Sequence, residues 1–226
     1  MTRSGHTRVK ICGVTSLDDA LACARAGADL LGLNFYPPSP RYLPLERARF
    51  LADGLRAALG EDCPLLVGVF VNASAEQIAG VMEAAGLDLA QLSGDEPEDV
   101  LAELGRRAIK AIRPRSQDEA TDQAARFLAH APRTADFPAL LLDAYHPDLY
   151  GGTGEQASVD VARAVMAASP RVMLAGGLTP ENVAERVRAI RPWGVDVASG
   201  VEGAQPGRKD PTRVREFIAA VRAAEA

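Results

Sequence analysis

The chain has 226 residues, 47% of them hydrophobic and 24% charged, with a formal net charge of −5. This is an ordinary globular composition with ample core. It argues against nucleic acid as a partner, because the basic residues gather into nothing denser than pairs such as Arg106-Arg107. No apolar run approaches the ~20 residues that span a bilayer, so no membrane partner is expected. The N-terminus, Met1 to Arg8, is short and polar and has no hydrophobic signal region. Three cysteines, Cys12, Cys23 and Cys63, stand at no metal or redox spacing, which suits a reduced cytoplasmic enzyme with no metal. A pocket for one small anion stays open.

In chain order, short β-branched or leucine-rich runs alternate with helical patterns. Strands are expected at Val9–Cys12, Leu30–Phe35, Leu65–Val71, Leu87–Leu92, Ala108–Arg113, Ala139–Asp143, Val172–Ala175 and Val195–Ala198. Between them the apolar period becomes helical: Leu17, Ala20, Leu21 and Ala24 share a face, as do Ile78, Val81, Met82 and Ala85, and near the end Val214, Phe217, Ile218 and Val221. Ser16, Ser74 and Thr179 stand where helix N-caps are wanted, with Pro180 in a first-turn position. Strands that are apolar nearly throughout are buried on both faces, which implies a parallel sheet covered by helices. Eight such units without a dividing linker predict one domain over residues 1–226, a (β/α)8 TIM barrel with a closed eight-stranded sheet and outer helices.

In that fold the chemistry sits at the C-terminal ends of the strands. The polar residues that interrupt the runs there are Cys12, Asn34, Arg113 and Asp143. Free cysteine is usually core, yet only Cys12 is placed to meet a substrate; Cys23 lies within a helix and Cys63 in a loop at the opposite face. Asp143 suits either a strand-end turn or catalysis. The segment from Ala144 through Gly151-Gly152-Thr153-Gly154 could serve as a lid or be an ordinary glycine-rich loop. Strands seven and eight run into Gly176-Gly177 and Ser199-Gly200, where glycine lets backbone N–H groups approach an anion. Two glycine loops in those units favour phosphate over a pair of plain turns.

The residues resemble the phosphoribosylanthranilate isomerase family. The resemblance runs through Lys10-Ile11-Cys12-Gly13-Val14-Thr15, Gly32-Leu33-Asn34-Phe35-Tyr36-Pro37-Pro38-Ser39-Pro40-Arg41-Tyr42, Gly68-Val69-Phe70-Val71-Asn72 and Leu92-Ser93-Gly94-Asp95-Glu96. It continues through Leu142-Asp143, Gly151 to Gly154, Ala175-Gly176-Gly177-Leu178 and Asp196-Val197-Ala198-Ser199-Gly200-Val201-Glu202. It implies a cofactor-independent Amadori rearrangement of N-(5′-phosphoribosyl)anthranilate, in tryptophan biosynthesis, to 1-(o-carboxyphenylamino)-1-deoxyribulose 5-phosphate. It places the general base on Cys12, the general acid on Asp143, and the anthranilate carboxylate on Arg41; the glycine loops themselves put the substrate phosphate at Gly176, Gly177, Ser199 and Gly200. Without the resemblance Arg41 reads as a solvated loop arginine. The enzyme is expected as a monomer or homodimer.

That chemistry needs an acid still holding its proton, to open the furanose ring, and a base for the hydrogen on sugar carbon 2. A thiol near its usual pKa of about 8.5 is only a few per cent ionised at pH 7. Lys10, two residues earlier on the same strand face, would favour the thiolate unless it simply pairs with Asp196. The chain departs from the family pattern at Ser93, where histidine is usual, and in the segment after Gly154, which lacks the usual aromatics. The alternatives are a histidine-pathway aminoaldose isomerase, which uses paired aspartates, and a phosphosugar-binding barrel without catalysis.

Overall fold

A computed structural model of the protein describes residues 5–143 and 158–225. Strand and helix alternate throughout: β1 Arg8–Cys12, α1 Leu17–Arg25, β2 Leu30–Asn34, α2 Leu45–Leu59, β3 Leu65–Phe70, α3 Ala75–Ala85, β4 Leu89–Leu92 and α4 Glu98–Leu104. The second half repeats the plan with β5 Ala108–Ile112, α5 Gln117–Leu128, β6 Leu140–Leu142, α6 Val159–Ala168, β7 Val172–Leu174, α7 Val183–Ile190, β8 Gly194–Val197 and α8 Pro211–Ala223. The strands pair in sequence order, all parallel, and β8 closes on β1 with Lys10 opposite Asp196.

Local chemistry sets the helix starts. The Ser16 hydroxyl accepts from the Asp19 backbone N–H at 3.2 Å, and Ser74 with Gln77 forms a reciprocal capping box. Asp210 caps α8, and Pro211 follows at its first position. Thr179 departs from expectation. It opens a turn whose carbonyl accepts from Asn182 and Val183, and α7 begins only after Asn182, because the Asn182 side chain bonds back to both the Thr179 N–H and the Gly177 carbonyl. Similarly β4 starts at Leu89, since the N–H of Leu87 is still bound to Met82 at the end of α3.

Side chains alternate across each strand and so divide the molecule into an inner and an outer layer. Leu30, Val67, Leu89, Ile109, Leu141 and Met173 point inward and fill the lower barrel. Val9, Ile11, Leu31, Leu33, Leu66, Val195 and Val197 point outward and pack with the helices, Phe217 and Val221 of α8 among them. Burying each such side chain contributes about 1.5–3 kcal/mol. Above the inner apolar floor the barrel interior becomes polar, and the site begins there.

Candidate active site

A cavity of about 290 Å³ opens at the C-terminal ends of the strands. Its lining includes Cys12, Asn34, Arg41, Asp143, Gly176, Gly177, Ser199 and Gly200, whereas Arg113, the fourth polar strand end, stays outside it and turns to the Gly94 carbonyl and Asp95. Cys12 ends β1 with its side chain inward, and Lys10 lies one inward position below it. Gly32 stands opposite on β2, where a Cβ would come within 2.8 Å of the Cys12 sulfur and 3.2 Å of the Lys10 Nζ. Glycine there gives the thiol and the ammonium room side by side.

Lys10 is 1% exposed, and its Nζ donates to both Asp196 oxygens at 3.0 Å. Burial opposes the charge on Lys10, but Asp196 and Cys12 together hold it above the usual lysine range. Cys12 moves the other way from the effect expected of Lys10. Burial pushes its thiol up, and the opposing pull of Lys10 and Lys209 does not reverse this. Cys23 is buried outside the barrel and pushed up to about 12 by burial, as an inert core thiol would be.

Asp143 follows β6, with its N–H bound to the Ile112 carbonyl at 3.0 Å, and its side chain lines the cavity. The residues expected to form a lid, 144–154 with their glycine end, lie outside the described residues.

Arg41 is not a solvated loop arginine. Its Nε and Nη2 donate to the two oxygens of Glu202 at 2.6 and 2.8 Å, a bidentate fork. Its stem crosses Gly13, whose φ of +71° and closeness to the Arg41 side chain both exclude a Cβ. Glu202 also accepts from the buried Lys209 Nζ at 3.1 Å and from the Gly207 N–H at 3.1 Å. Burial works against the Glu202 carboxylate, but Arg41 and Lys209 hold its pKa below the ordinary value.

The two glycine loops touch. Gly176 and Gly177 have φ of +87° and +58°, and Ser199–Val201 forms a short 3-10 turn. A Cβ on Gly200 would overlap the Leu178 carbonyl oxygen, so the loops close on each other only with glycine there. Arg213 of α8 holds them from behind: its Nε donates to the Gly200 carbonyl at 3.0 Å and its Nη2 to Glu181 at 3.3 Å.

Three polar side chains near the mouth went unassigned in the sequence reading: Glu202, Lys209 and Gln91. One signal could have raised Lys209. The chain has only three lysines, Lys10, Lys110 and Lys209, and all are buried. Gln91 lines the cavity and donates to the Ser93 hydroxyl at 3.1 Å. Among the described residues no three His, Cys, Asp or Glu side chains gather as a metal site.

The family described as N-(5′-phosphoribosyl)anthranilate isomerase matches residues 9–220. A relative of that name from Geobacter metallireducens is 47% identical over 214 residues, covering 93% of this chain and 96% of the relative. The crystal structure of the Thermus thermophilus enzyme superposes with a TM-score of 0.79 at 38% identity, covering 96% of this chain and 99% of that one. A second structure, of the isomerase in complex with reduced 1-(o-carboxyphenylamino)-1-deoxyribulose 5-phosphate, gives 0.79 at 33% identity with the same coverage. With a matched barrel, a matched order of motifs and matches of this extent, the chain belongs to the N-(5′-phosphoribosyl)anthranilate isomerase family.

Proposed function

We propose that the protein converts N-(5′-phosphoribosyl)anthranilate to 1-(o-carboxyphenylamino)-1-deoxyribulose 5-phosphate with Cys12 as base and Asp143 as acid. The observation that carries the reading is the single cavity lined by Cys12, Asp143, Arg41 and both glycine loops. Asp143 protonates the furanose oxygen and the ring opens to an iminium ion. The iminium acidifies the hydrogen on carbon 2, which the Cys12 thiolate removes to leave an enolamine. The enolamine becomes the ketone as carbon 1 gains a proton and the 2-hydroxyl loses one.

Phosphate binds at Gly176, Gly177, Ser199 and Gly200, where three glycines leave backbone N–H groups open to an anion and Ser199 adds a hydroxyl. Arg41 meets the anthranilate carboxylate with the guanidinium edge that Glu202 does not use. The active unit is expected to be a monomer or a homodimer. Cys12, Cys23 and Cys63 are free thiols, as in a reducing cytoplasm, and no described helix is long and apolar enough to cross a membrane. The paired aspartates of the histidine-pathway alternative have no counterpart here, because Cys12 occupies the end of β1.

Purified protein without added cofactor should consume phosphoribosylanthranilate, seen as a change in anthranilate fluorescence, and inorganic phosphate should compete. Folded protein that leaves the substrate untouched would return the chain to the non-catalytic phosphosugar-binding alternative.

A further inference from the structure

We propose that Glu202 is a positioning residue for substrate recognition, holding the Arg41 guanidinium edge-on so that its remaining edge faces a carboxylate in the cavity. The inference rests on the reading of Arg41 given above. A guanidinium carries five N–H donors in one plane. Glu202 engages one on Nε and one on Nη2, which fixes that plane and leaves both Nη1 hydrogens and the second Nη2 hydrogen for another acceptor. Arg41 lines the cavity, and its side chain is 15% exposed, so the fixed edge borders the space a ligand would fill.

A pair of opposite charges alone would be a poor receptor for an anion, because Glu202 would cancel Arg41. Lys209 changes the count. Its ammonium lies 3.1 Å from the same Glu202 oxygen and 3.0 Å from the Ala198 carbonyl, 1% exposed at the side chain. Two cations and one carboxylate leave the cluster with a net charge of about +1, in a partly desolvated setting where charge acts strongly. Glu202 therefore does two things: it orients Arg41 and makes the burial of Lys209 tolerable. The cluster is anchored to the scaffold as well. The Lys209 N–H and the Arg208 guanidinium both bind Asp19 of α1, at 3.1 and 2.9 Å.

The test compares two ligands by calorimetry: reduced 1-(o-carboxyphenylamino)-1-deoxyribulose 5-phosphate, and the same compound made from aniline, which lacks the carboxylate. Glu202→Gln keeps the size but loses the charge and one acceptor of the fork. It should weaken the carboxylated ligand about tenfold, as loss of a well-aligned charged hydrogen bond does, and leave the aniline ligand within about twofold. In turnover the change should fall on KM, with kcat nearly unchanged. Glu202→Asp, which keeps the charge, should recover part of the loss, and it serves as the test variant if Glu202→Gln does not fold. Equal weakening of both ligands, or of neither, overturns the proposal. Arg41→Ala separates the two levels of the argument. If it discriminates between the ligands while the Glu202 variants do not, positioning by Glu202 is wrong and the Arg41 reading stands. If Arg41→Ala also fails to discriminate, both fall.

Discussion

Two buried lysine–carboxylate pairs lie on opposite faces of the same sheet. Lys10 and Asp196 meet at 3.0 Å inside the barrel, where β1 and β8 close; Lys110 and Glu96 meet at 2.7 Å outside it, between β5 and the helices. Lys110 also donates to the Gly94 carbonyl at 2.6 Å, and its Nζ stands 5.7 Å from the centre of the Phe127 ring of α5. Glu96 in turn accepts from the N–H groups of Asn72 and Gly94, so this outer pair ties two loops at the mouth of the barrel. The two ammonium groups are shifted in opposite directions. Burial lowers both, but Asp196 and Cys12 lift Lys10 above its ordinary value, while Glu96 does not lift Lys110 back. A buried ion pair is thus not a sign of a site in itself. The strand face it points from decides whether it borders the cavity or the scaffold.

If the inner face carries the chemistry, the largest effects come from the residues above the inner pair. Cys12→Ser and Asp143→Asn should each lower kcat by about 10²–10⁴, the usual worth of a positioned base or acid. Melting temperatures should hardly move, because each replacement is close in size. Variants that fold and keep more than about a tenth of wild-type kcat would dismiss the assigned roles.

Next come the lysines themselves. Lys10→Met and Lys110→Met each strand a buried carboxylate and should cost about 3–5 kcal/mol in denaturant unfolding. Their pH profiles should differ. Lys10 opposes the rise of the Cys12 pKa, so its loss lets the thiol climb further and moves the rising limb of kcat/KM to higher pH. The Lys110 variant should leave that limb in place, and a shift there equal to that of Lys10→Met would erase the inner–outer distinction. Amine-reactive labelling gives an independent check. With all three lysines buried, the folded protein should react only at its α-amino group, as mass spectrometry would show.

The same two faces explain what the sequence revealed. The barrel was legible because outward apolar residues of the strands and one face of each helix are periodic, as Val214, Phe217, Ile218 and Val221 are on α8. Cys12 and Asp143 stood out as polar ends of apolar strands. Periodicity does not report charge pairing across the chain. Glu202 lies 161 positions from Arg41, and the distance between them exists only once β8 has closed on β1. Nor does it report how deeply a thiol is desolvated: of the two expected roles of Lys10, the pairing with Asp196 is the one that forms, and its pull on Cys12 is outweighed by burial.

A smaller effect is expected at the glycine loops. Gly200→Ala places a methyl group against the Leu178 carbonyl and should cost about 1–3 kcal/mol as the loops part. Because the strain falls on the inner rim, KM and the inhibition constant of inorganic phosphate should rise together. A stability loss with unchanged phosphate inhibition would place the anion elsewhere.

The smallest effect concerns Gln91, an inner polar residue held by neither ion pair. Its Nε2 donates to Ser93, while its Oε1 is buried without a hydrogen-bond partner among the described residues. Turning the amide over would exchange the two ends and leave one still unsatisfied. Ser93→Ala removes the remaining partner and should cost about 1–2 kcal/mol, the penalty for a second unmet polar end. Gln91→Leu removes the unmet end itself, so alone it should be within about 1 kcal/mol of neutral or slightly stabilising, given a similar side-chain volume. The double variant should then be more stable than the sum of the two single changes predicts, a non-additivity that urea unfolding of the four proteins would read directly. Strict additivity would mean that the amide and the hydroxyl do not act as a unit, and that the inner face tolerates unpaired polar groups as readily as paired ones.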